Sequence, residues 1–562
     1  MKSLVCFLAL SFLMSANARW FRSSRLKFFD STNDRYRDRS GKRPNIVYIM
    51  ADDLGWNDVG FHNPKVRTPN LNALRAKGIE LSQFYVQESC SPTRSALLTG
   101  KYPSRNGLQQ MAVQLTSPFC LPLTHKTLYQ YMKEEGYVTK HVGKWHLGDC
   151  NERCLPNNRG VDEFRGGMTG AADYFNWTDN GVMTRERNGM PTVENIGTHL
   201  TTQDTIDARE LILAHRNNPN PLFMWITPTA PHDPLQVTNE MFNVHDFLNP
   251  SDPEEEARRR YLGLVSAFDD MVGVTMTTLQ EAGIADNTII IFSSDNGGPN
   301  GMPPFPEWDY AANNYPLRNN KGSLTEGGVR TPTIYYDPRL HPRTRGTTRD
   351  FLIHVTDWLP TFLHLANPKR RRIALRGIDG VSQLPNLGSR YTQAQQRKYH
   401  RRSEMLVGLN GGRGARCSTE NAVFRWKDYK LLYGLSYFGA PTPPSESEWR
   451  RPEESPELPA IIGDDCHRIV DGQRVVRCLF NVRDDPSETR NLYDLKPQLV
   501  EKLIRKIQQA KEDSVTAVFR PAVGVSSATT QLWRGFTIPR HDYCTPETDF
   551  PLRPVSSACI NI

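Results

Sequence analysis

After its first residues, the chain of 562 amino acids has no hydrophobic run that is long enough to cross a bilayer. We therefore expect a protein that does not span a membrane. The first residues differ, because a lysine at position 2 precedes a short apolar run that ends in Ala-Asn-Ala at positions 16–18. This pattern is typical of a secretory signal peptide, which we place at residues 1–18. It predicts a protein of the secretory pathway, either lysosomal or extracellular.

The body of the chain has little excess charge of either sign. The formal net charge is +8, and one of these charges belongs to the lysine of the leader. Residues 19–43 contain nine basic and three acidic side chains, so they carry +6 of the remaining +7. Because the rest of the chain is nearly neutral, we expect no nucleic-acid partner. We interpret residues 19–43 as a solvated, disordered arm, and the alternative is an arm that binds a polyanion.

Cysteine is scarce as well, with ten residues in the whole chain. Cys6 lies in the leader and Cys90 lies in a motif described below, which leaves eight. An even number of cysteines in a secreted protein allows up to four disulfides, but their connectivity cannot be read from the sequence. The eight are Cys120, Cys150, Cys154, Cys417, Cys466, Cys478, Cys544 and Cys559. Asn176, in Asn-Trp-Thr, begins the one clear N-glycosylation sequon.

Short apolar runs alternate with helical segments in the first 300 residues. The runs cover residues 44–50, 137–142, 222–227 and 288–293, and the helical segments include residues 71–78, 123–136 and 258–282. Continuous apolar runs of this length are typical of strands that are buried on both faces. Their alternation with helices predicts an α/β fold, in which a large mixed, mostly parallel sheet lies between helices. The composition changes after about residue 410, so we expect a smaller C-terminal domain with an exposed loop near residues 441–459.

Polar residues follow the apolar runs, and in parallel sheets ligands bind beyond the carboxyl ends of the strands. Asp52 and Asp53 follow the first run, and Asp295 and Asn296 follow the fourth. Either pair alone is explained by a turn or a helix cap. Together the four offer an all-oxygen site that suits Ca²⁺, or Mg²⁺ if the cavity is tighter. Adjacent strand residues point to opposite faces, so Asp52 and Asp53 can share an ion only where the chain turns off the sheet.

Two further segments carry reactive side chains. Residues 90–94, CSPTR, place Cys90 just ahead of a helix that is predicted to begin near Pro92, where free backbone N–H groups favour an anion. Taken alone, Cys90 is equally well explained as half of a disulfide. Lys144 and His146 lie two residues apart after the second apolar run and can project in the same direction. A lone histidine is more often structural, so these two residues alone indicate little.

Taken together, these segments resemble the type I sulfatase family. In that family the cysteine of a Cys-x-Pro-x-Arg motif is oxidised to formylglycine, and residues 90–94 match this motif with Thr93 in place of the usual serine. The resemblance runs from about residue 44 to residue 491. It is carried further by LTGKY at 98–102, GKWHLG at 143–148, APHDP at 230–234, LRNNKG at 317–322 and EGGVR at 326–330. It is closest to the arylsulfatase B branch, through CLP at 154–156, PLQV at 234–237 and DWLP at 357–360.

The resemblance implies an alkaline-phosphatase-like fold with a catalytic domain at residues 44–410. A smaller α+β domain with an antiparallel sheet is expected at residues 411–562. The resemblance also implies that Cys120 pairs with Cys154. One calcium ion per chain is expected at Asp52, Asp53, Asp295 and Asn296, with the formylglycine derived from Cys90 completing the site. The formylglycine-generating enzyme would be a partner during maturation.

The family resemblance also assigns a role to each remaining polar residue. One hydroxyl of the hydrated aldehyde would attack sulfur, whereas a thiol offers no easy release of sulfate afterwards. Lys321 and His232 would bind the sulfate oxygens, and His232 would protonate the departing alcohol. His146 would deprotonate the second hydroxyl. Arg94 and Lys144 would orient the formylglycine and offset negative charge around it.

The resemblance therefore predicts a sulfuric ester hydrolase. Its substrate would be a sulfated glycan, such as a glycosaminoglycan with N-acetylgalactosamine 4-sulfate, or an aryl sulfate. One alternative is a phosphatase-like hydrolase of the same superfamily, which usually has a Ser or Thr nucleophile. The other is a catalytically silent relative that binds sulfated polysaccharide. Sulfate release by protein that carries the modification at Cys90 distinguishes that relative from an enzyme.

Overall fold

The structure, a computed structural model, describes residues 42–110, 112–300, 311–367, 377–387, 402–410, 421–435, 466–470, 473–518, 520, 522–526, 529–533, 536–545 and 552–554. Several features of the sequence analysis lie outside these residues. They are the signal peptide at 1–18, all but the last two residues of the basic arm, the loop near 441–459, and the cysteines Cys417 and Cys559.

The secondary structure of the described residues comprises strands, α-helices and short 3₁₀ helices. The strands are β1 Asn45–Ala51, β2 Ile79–Leu81, β3 Phe84–Tyr85, β4 Val138–Gly143, β5 Glu163–Gly167, β6 Thr178–Asp179, β7 Val182–Met183, β8 Arg185–Arg187, β9 Met190–Pro191, β10 Leu222–Thr227, β11 Thr288–Ser294, β12 Ile334–Tyr336, β13 Thr347–Arg349, β14 Ile353–His354, β15 Glu404–Asn410, β16 Asn421–Trp426, β17 Tyr429–Leu435, β18 His467–Val470, β19 Gln473–Asn481, β20 Thr530–Trp533 and β21 Phe536–Pro539. The α-helices are Pro69–Lys77, Cys90–Thr99, Pro103–Asn106, Leu128–Glu134, Leu200–Ala214, Asn239–Phe242, Pro253–Glu281, Glu326–Val329, Trp358–Ala366, Leu384–Leu387 and Pro497–Glu512. The 3₁₀ helices are Glu152–Cys154, Pro156–Arg159, Asn243–His245, Ala285–Asn287, Pro342–Thr344 and Val355–Asp357.

Ten strands form one large sheet in the order β13-β2-β12-β11-β1-β10-β4-β5-β8-β9. The five central strands, β11, β1, β10, β4 and β5, are parallel to one another. The pairings β11–β12, β12–β2, β5–β8 and β8–β9 are antiparallel. In β1, Ile46 and Tyr48 pack into one hydrophobic core while Val47 and Ile49 pack into a second core on the opposite face. The predicted mixed, mostly parallel sheet between helices is therefore confirmed.

All four predicted helices begin at other residues than the sequence pattern indicated, and those expected from residues 71 and 258 begin at Pro69 and Pro253. The helix expected over residues 123–136 begins at Leu128, because the Thr127 side chain accepts from the Gln130 N–H and the Gln130 side chain accepts from the Thr127 N–H. The helix expected to begin near Pro92 begins two residues earlier, at Cys90, after the extended residue Ser89. Cys90 thus lies within the first helical turn and not ahead of it.

A smaller antiparallel sheet, called here the small sheet, has the order β15-β16-β17-β19-β18. The hairpin expected within residues 422–432 is formed by β16 and β17. Leu503 and Ile507 of the helix Pro497–Glu512 pack into a hydrophobic cluster with the small sheet, and a second cluster joins the small sheet to Tyr85, Leu324 and Val329. β15 belongs to the small sheet, although it precedes the predicted domain boundary at residue 410.

The residues after about 529 pair with strands from the first half of the chain. Here residues 529–533 and 536–545 are called the C-terminal segment. Its strands β20 and β21 extend a four-stranded sheet in the order β20-β21-β7-β6, and a disulfide links Cys150 to Cys544. Further disulfides link Cys466 to Cys478 and Cys120 to Cys154, the latter being the pair that the family resemblance implies.

One described helix, within Glu255–Glu281, is long and apolar enough to cross a membrane by length and composition alone. The expectation that no segment after the leader is that apolar was therefore wrong. In the structure, 78% of the apolar window of this helix is buried inside the protein. Phe268, Met271 and Val272 pack into the core on one face of the large sheet, as in the core helix of a globular protein.

Candidate functional site

The carboxyl ends of the central strands bring the four predicted metal ligands together. β1 and β11 are paired along their whole length, so the residues that follow them lie side by side. Asp53 has φ 68°, so the backbone leaves the extended conformation of the strand at this residue. This is the turn that would allow Asp52 and Asp53 to share one ion. The Asp53 N–H donates to Asp295 Oδ1 at 3.2 Å, and Asn296 Nδ2 donates to Asp53 Oδ1 at 2.7 Å. All four side chains are buried.

Cys90 lies at the start of its helix, next to this cluster. It is buried and forms no disulfide, and its Sγ lies 3.5 Å from Asp52 Oδ1. The interpretation of Cys90 as half of a disulfide is therefore wrong. Burial, helped by the negative charge of Asp295, raises the pKa of Cys90 well above its ordinary value. A thiol in this environment stays protonated and is a poor nucleophile.

Arg94 and Lys144 balance the carboxylates. Arg94 is fully buried, and its Nη2 and Nε lie 2.9 and 3.2 Å from Asp295 Oδ2, while its Nη1 donates to the Lys144 carbonyl oxygen at 2.7 Å. Burial lowers the pKa of Arg94, but the charges of Asp295 and Asp52 outweigh burial and raise it. Lys144 Nζ donates to Asp52 Oδ2. Both cations are thus held against carboxylates at the strand ends.

Lys321 and His232 approach the same cluster from two loops. Lys321 Nζ lies 2.7 Å from Asp53 Oδ2 and 3.2 Å from His232 Nε2, and His232 Nε2 lies 3.5 Å from Asp53 Oδ2. His232 Nδ1 donates to the backbone oxygen of Asp233 at 2.7 Å. Burial and Lys321 lower the pKa of His232, but Asp53 and Asp233 outweigh them and raise it. With Nδ1 bound to the backbone, His232 presents Nε2 to the cluster.

His146 follows two residues after Lys144 and is held in the neutral form. Its Nε2 lies 2.7 Å from the carbonyl oxygen of Val113, so Nε2 carries the proton and donates. Nδ1 is buried and has no hydrogen-bond partner among the described residues. Burial, together with the charges of Lys144 and Arg94, lowers the pKa of His146 well below its ordinary value. Ser91 Oγ donates to the His146 carbonyl oxygen at 2.8 Å, which ties this residue to the helix of Cys90.

The residues at the strand ends fit a divalent cation. Donor atoms of Asp52, Asp53, Cys90 and His232 all lie within 4.8 Å of one another. Asn296 Oδ1 is buried and has no hydrogen-bond partner among the described residues. A buried amide oxygen of this kind costs free energy unless a donor or a cation satisfies it. Carboxylate and amide oxygens are the ligands that a hard cation prefers.

Several residues that hold the site in place were not identified from the sequence. Tyr174 Oη donates to the His232 carbonyl oxygen at 2.8 Å, and a Cβ at Gly170 would lie only 2.6 Å from His146 Nε2. Neither residue lies near a motif, so no local signal could have found them. Asp233 adjoins His232 in the sequence and could have been proposed as a charge that raises the pKa of His232. Asn176 of the predicted sequon is exposed.

A family model described as Sulfatase matches residues 44–368, which is more than half of the chain. Arylsulfatase J of Mus musculus is 32% identical over 500 residues, which cover 85% of this chain and 77% of that protein. N-acetylgalactosamine-6-sulfatase of Homo sapiens is 31% identical over 366 residues, which cover 61% of this chain and 66% of that protein.

A solved structure gives the same result. The crystal structure of Ps i-CgsB in complex with k-i-k-neocarrahexaose matches with a TM-score of 0.66 and 27% sequence identity, covering 84% of this chain and 94% of that chain. The matched family, the relatives and the fold agree with the polar cluster at the strand ends. The chain therefore belongs to the sulfatase family and is a sulfuric ester hydrolase.

Proposed function

We propose that the chain hydrolyses sulfate esters by means of a formylglycine made from Cys90 and a bound calcium ion. The observation that carries the proposal is the environment of Cys90, a buried cysteine outside a disulfide and 3.5 Å from Asp52 Oδ1. As a thiol this group is inert, because its pKa is raised. After oxidation to the aldehyde and hydration, the same position would present two hydroxyls beside the metal ligands.

The ligands of the calcium ion would be the oxygens of Asp52, Asp53, Asp295 and Asn296, together with an oxygen of the modified residue 90. The unpartnered Oδ1 of Asn296 supports this assignment. When bound, the ion would acidify a hydroxyl of the hydrate and offset charge on the transferring group. Magnesium would replace calcium if the cavity closes more tightly around these oxygens.

The chain's own cations and histidines would divide the remaining tasks. Lys321 Nζ and His232 Nε2, which lie 3.2 Å apart, would bind sulfate oxygens, and His232 Nε2 would protonate the departing alcohol. The raised pKa of His232 supports its role as the acid. His146, neutral because its pKa is lowered, would accept a proton at Nδ1. Arg94 and Lys144 would orient residue 90 and its neighbouring carboxylates.

The substrate would be a sulfated glycan, such as a glycosaminoglycan with N-acetylgalactosamine 4-sulfate, or an aryl sulfate. The names of the matched relatives, an arylsulfatase and an N-acetylgalactosamine-6-sulfatase, support this range. The finer assignment to the arylsulfatase B branch rests on the sequence clusters alone. The predicted leader supports passage through the secretory pathway, where the formylglycine-generating enzyme would modify Cys90, and then residence in the lysosome or outside the cell.

The test combines mass spectrometry with turnover. Protein secreted from cells that contain the formylglycine-generating enzyme is digested, and the mass of the peptide that contains residue 90 is measured. We expect a mass that corresponds to replacement of the thiol by an aldehyde, and sulfate release that scales with the modified fraction. Cys90→Ala, which cannot be modified, should release no sulfate above background.

Two results would contradict the proposal. Full sulfate release by protein whose residue 90 is unmodified cysteine would exclude formylglycine as the nucleophile. Complete modification without any sulfate release, but with tight binding of a sulfated polysaccharide, would favour the catalytically silent relative.

A further inference from the structure

A buried charge network joins the small sheet to the loops that carry Lys321 and Asn296. We propose that Lys430 and Glu488 are positioning residues for the reaction, acting through Glu326 on those two loops. Glu326 belongs to the EGGVR segment that resembles the family, but the proposed chemistry gives this segment no task. The inference rests on the proposed roles of Lys321 and Asn296.

The network consists of one lysine between two carboxylates, with Arg330 Nη1 3.3 Å from the outer oxygen of Glu326, Oε2. Lys430 Nζ, on β17, lies 3.0 Å from Glu326 Oε1 and 3.0 Å from Glu488 Oε1, and all three side chains are fully buried. Glu488 Oε2 also accepts from the Glu326 backbone N–H at 2.8 Å. Tyr85 Oη donates to Glu326 Oε2 at 2.6 Å. The start of the helix Glu326–Val329 is therefore held by residues of the small sheet and of the loop after β19.

The helix Glu326–Val329 in turn holds both active-site loops by its backbone. The Gly327 N–H donates to the Arg318 carbonyl oxygen at 2.7 Å, three residues before Lys321. The Gly297 N–H, immediately after Asn296, donates to the Gly328 carbonyl oxygen at 2.9 Å. A Cβ at Gly297 would lie 1.7 Å from the Gly327 carbonyl oxygen. The contact is so close that a shift of the helix must shift the loop after Asn296.

The charge of Lys430 determines where this helix lies. Burial raises the pKa of Glu326, but Lys430 and Arg330 outweigh burial and lower it, so Glu326 is ionised. Without Lys430, the two buried carboxylates would face each other with no cation between them, and Arg330 would contact Glu326 alone. Removal of one partner of a buried ion group is strongly unfavourable, because the remaining charge is left unpaired. The carboxylates would then separate or one would take up a proton, and either response moves the start of the helix.

The experiment compares Lys430→Met, Glu488→Gln and the double variant on an aryl sulfate. Activity is divided by the fraction of folded protein and by the fraction of residue 90 that carries the aldehyde. Impaired folding or maturation therefore does not lower this normalised kcat. We expect Lys430→Met to lower kcat by about 10- to 100-fold with a smaller change in KM, because a displacement of about 1 Å has such effects on catalysis. The double variant should recover much of that loss, since Glu326 keeps its contact with Arg330 and no second carboxylate faces it.

Two reference variants, Leu503→Ala and Lys321→Ala, make the result decisive. Leu503→Ala removes buried contacts between the helix Pro497–Glu512 and the small sheet, and should lower Tm while leaving the normalised kcat unchanged. If Lys430→Met does not fold, the Glu488→Gln variant decides, with an expected loss of kcat that exceeds that of Leu503→Ala. A normalised kcat within twofold of the wild type in both single variants would overturn the inference. Lys321→Ala tests the role on which it rests: wild-type activity there would contradict the proposed function instead.

Discussion

At the scale of single residues, the space left by Gly170 determines how His146 lies. A Cβ at Gly170 would be 2.6 Å from Nε2 and 2.7 Å from Cε1 of the imidazole, well inside contact distance. Nε2 is also the atom that donates to the Val113 carbonyl oxygen. A larger residue at position 170 would therefore break the hydrogen bond that leaves Nδ1 without a proton and able to serve as the proposed base.

We expect Gly170→Ala to lower kcat by about 100-fold, the contribution of a positioned general base. The matched control is Gly167→Ala, since the nearest atom to a Cβ at Gly167 lies 3.9 Å away. Steady-state kinetics on protein with equal formylglycine content checks the prediction. Equal kcat values for the two variants would show that the position of His146 does not limit turnover.

The candidate site illustrates which residues can be found from sequence. Asp52, Asp53, Asp295 and Asn296 were predicted because each pair directly follows an apolar run, and the ends of parallel strands meet at one edge. Gly170 and Tyr174 were not, because their contacts with His146 and His232 join segments that are distant in sequence. For the same reason, nothing in the sequence of β17 indicated that Lys430 contacts Glu326.

At the scale of elements, His541 anchors the C-terminal segment in a way that depends on pH. Its Nε2 lies 2.7 Å from Glu186 Oε1, and its Nδ1 donates to the Asp149 carbonyl oxygen at 2.7 Å. Tyr543 Oη lies 3.3 Å from Asp149 Oδ1. Burial lowers the pKa of His541, but the hydrogen bond and charge of Glu186 outweigh burial and raise the pKa to about 9.

A histidine whose pKa rises on folding stabilises the protein below its unfolded pKa, and this stabilisation is lost as pH rises through the folded pKa. His541 should thus stabilise the fold fully below about pH 6.5 and lose this effect near pH 9. We expect His541→Gln to lower the free energy of unfolding by about 1–3 kcal/mol at pH 6 and by much less at pH 10. Denaturant unfolding of both proteins at the two pH values measures this, and an equal difference at both would contradict it.

Strands were easier to predict than the elements around them. The run at 222–227 is β10 without change, because a strand buried on both faces is a continuous apolar run. The helix of Cys90 begins two residues earlier than its proline suggested, since Ser89 supplies the extended residue before it. β20 and β21 escaped prediction because their sheet is completed by β7 and β6, about 350 residues earlier in the chain.

For the whole molecule, the proposed metal site at Asp52, Asp53, Asp295 and Asn296 would connect the stability of the fold to cation binding. Asp52, Asp53 and Asp295 each contact a cationic side chain, whereas Asn296 Oδ1 has no partner among the described residues. A ligand that binds the folded state alone stabilises it by mass action, by about 2.7 kcal/mol at a concentration 100 times its Kd. The unfolding transition of the whole chain should therefore report binding at this one site, without any need for turnover.

We expect Tm of the chelator-treated protein to rise with calcium concentration and to reach a plateau. Asn296→Ala removes a neutral ligand without a change in charge, so its rise in Tm should require about tenfold or more calcium, equivalent to about 1.4 kcal/mol of binding free energy. Asn386→Ala is the matched control, because Asn386 Oδ1 is also buried without a hydrogen-bond partner among the described residues but lies in the helix Leu384–Leu387. Its calcium dependence should equal that of the wild type. If the calcium dependence of Tm in Asn296→Ala equals that of the wild type, Asn296 does not bind the ion. In the wild type, a larger rise in Tm with magnesium than with calcium would assign the site to the smaller cation.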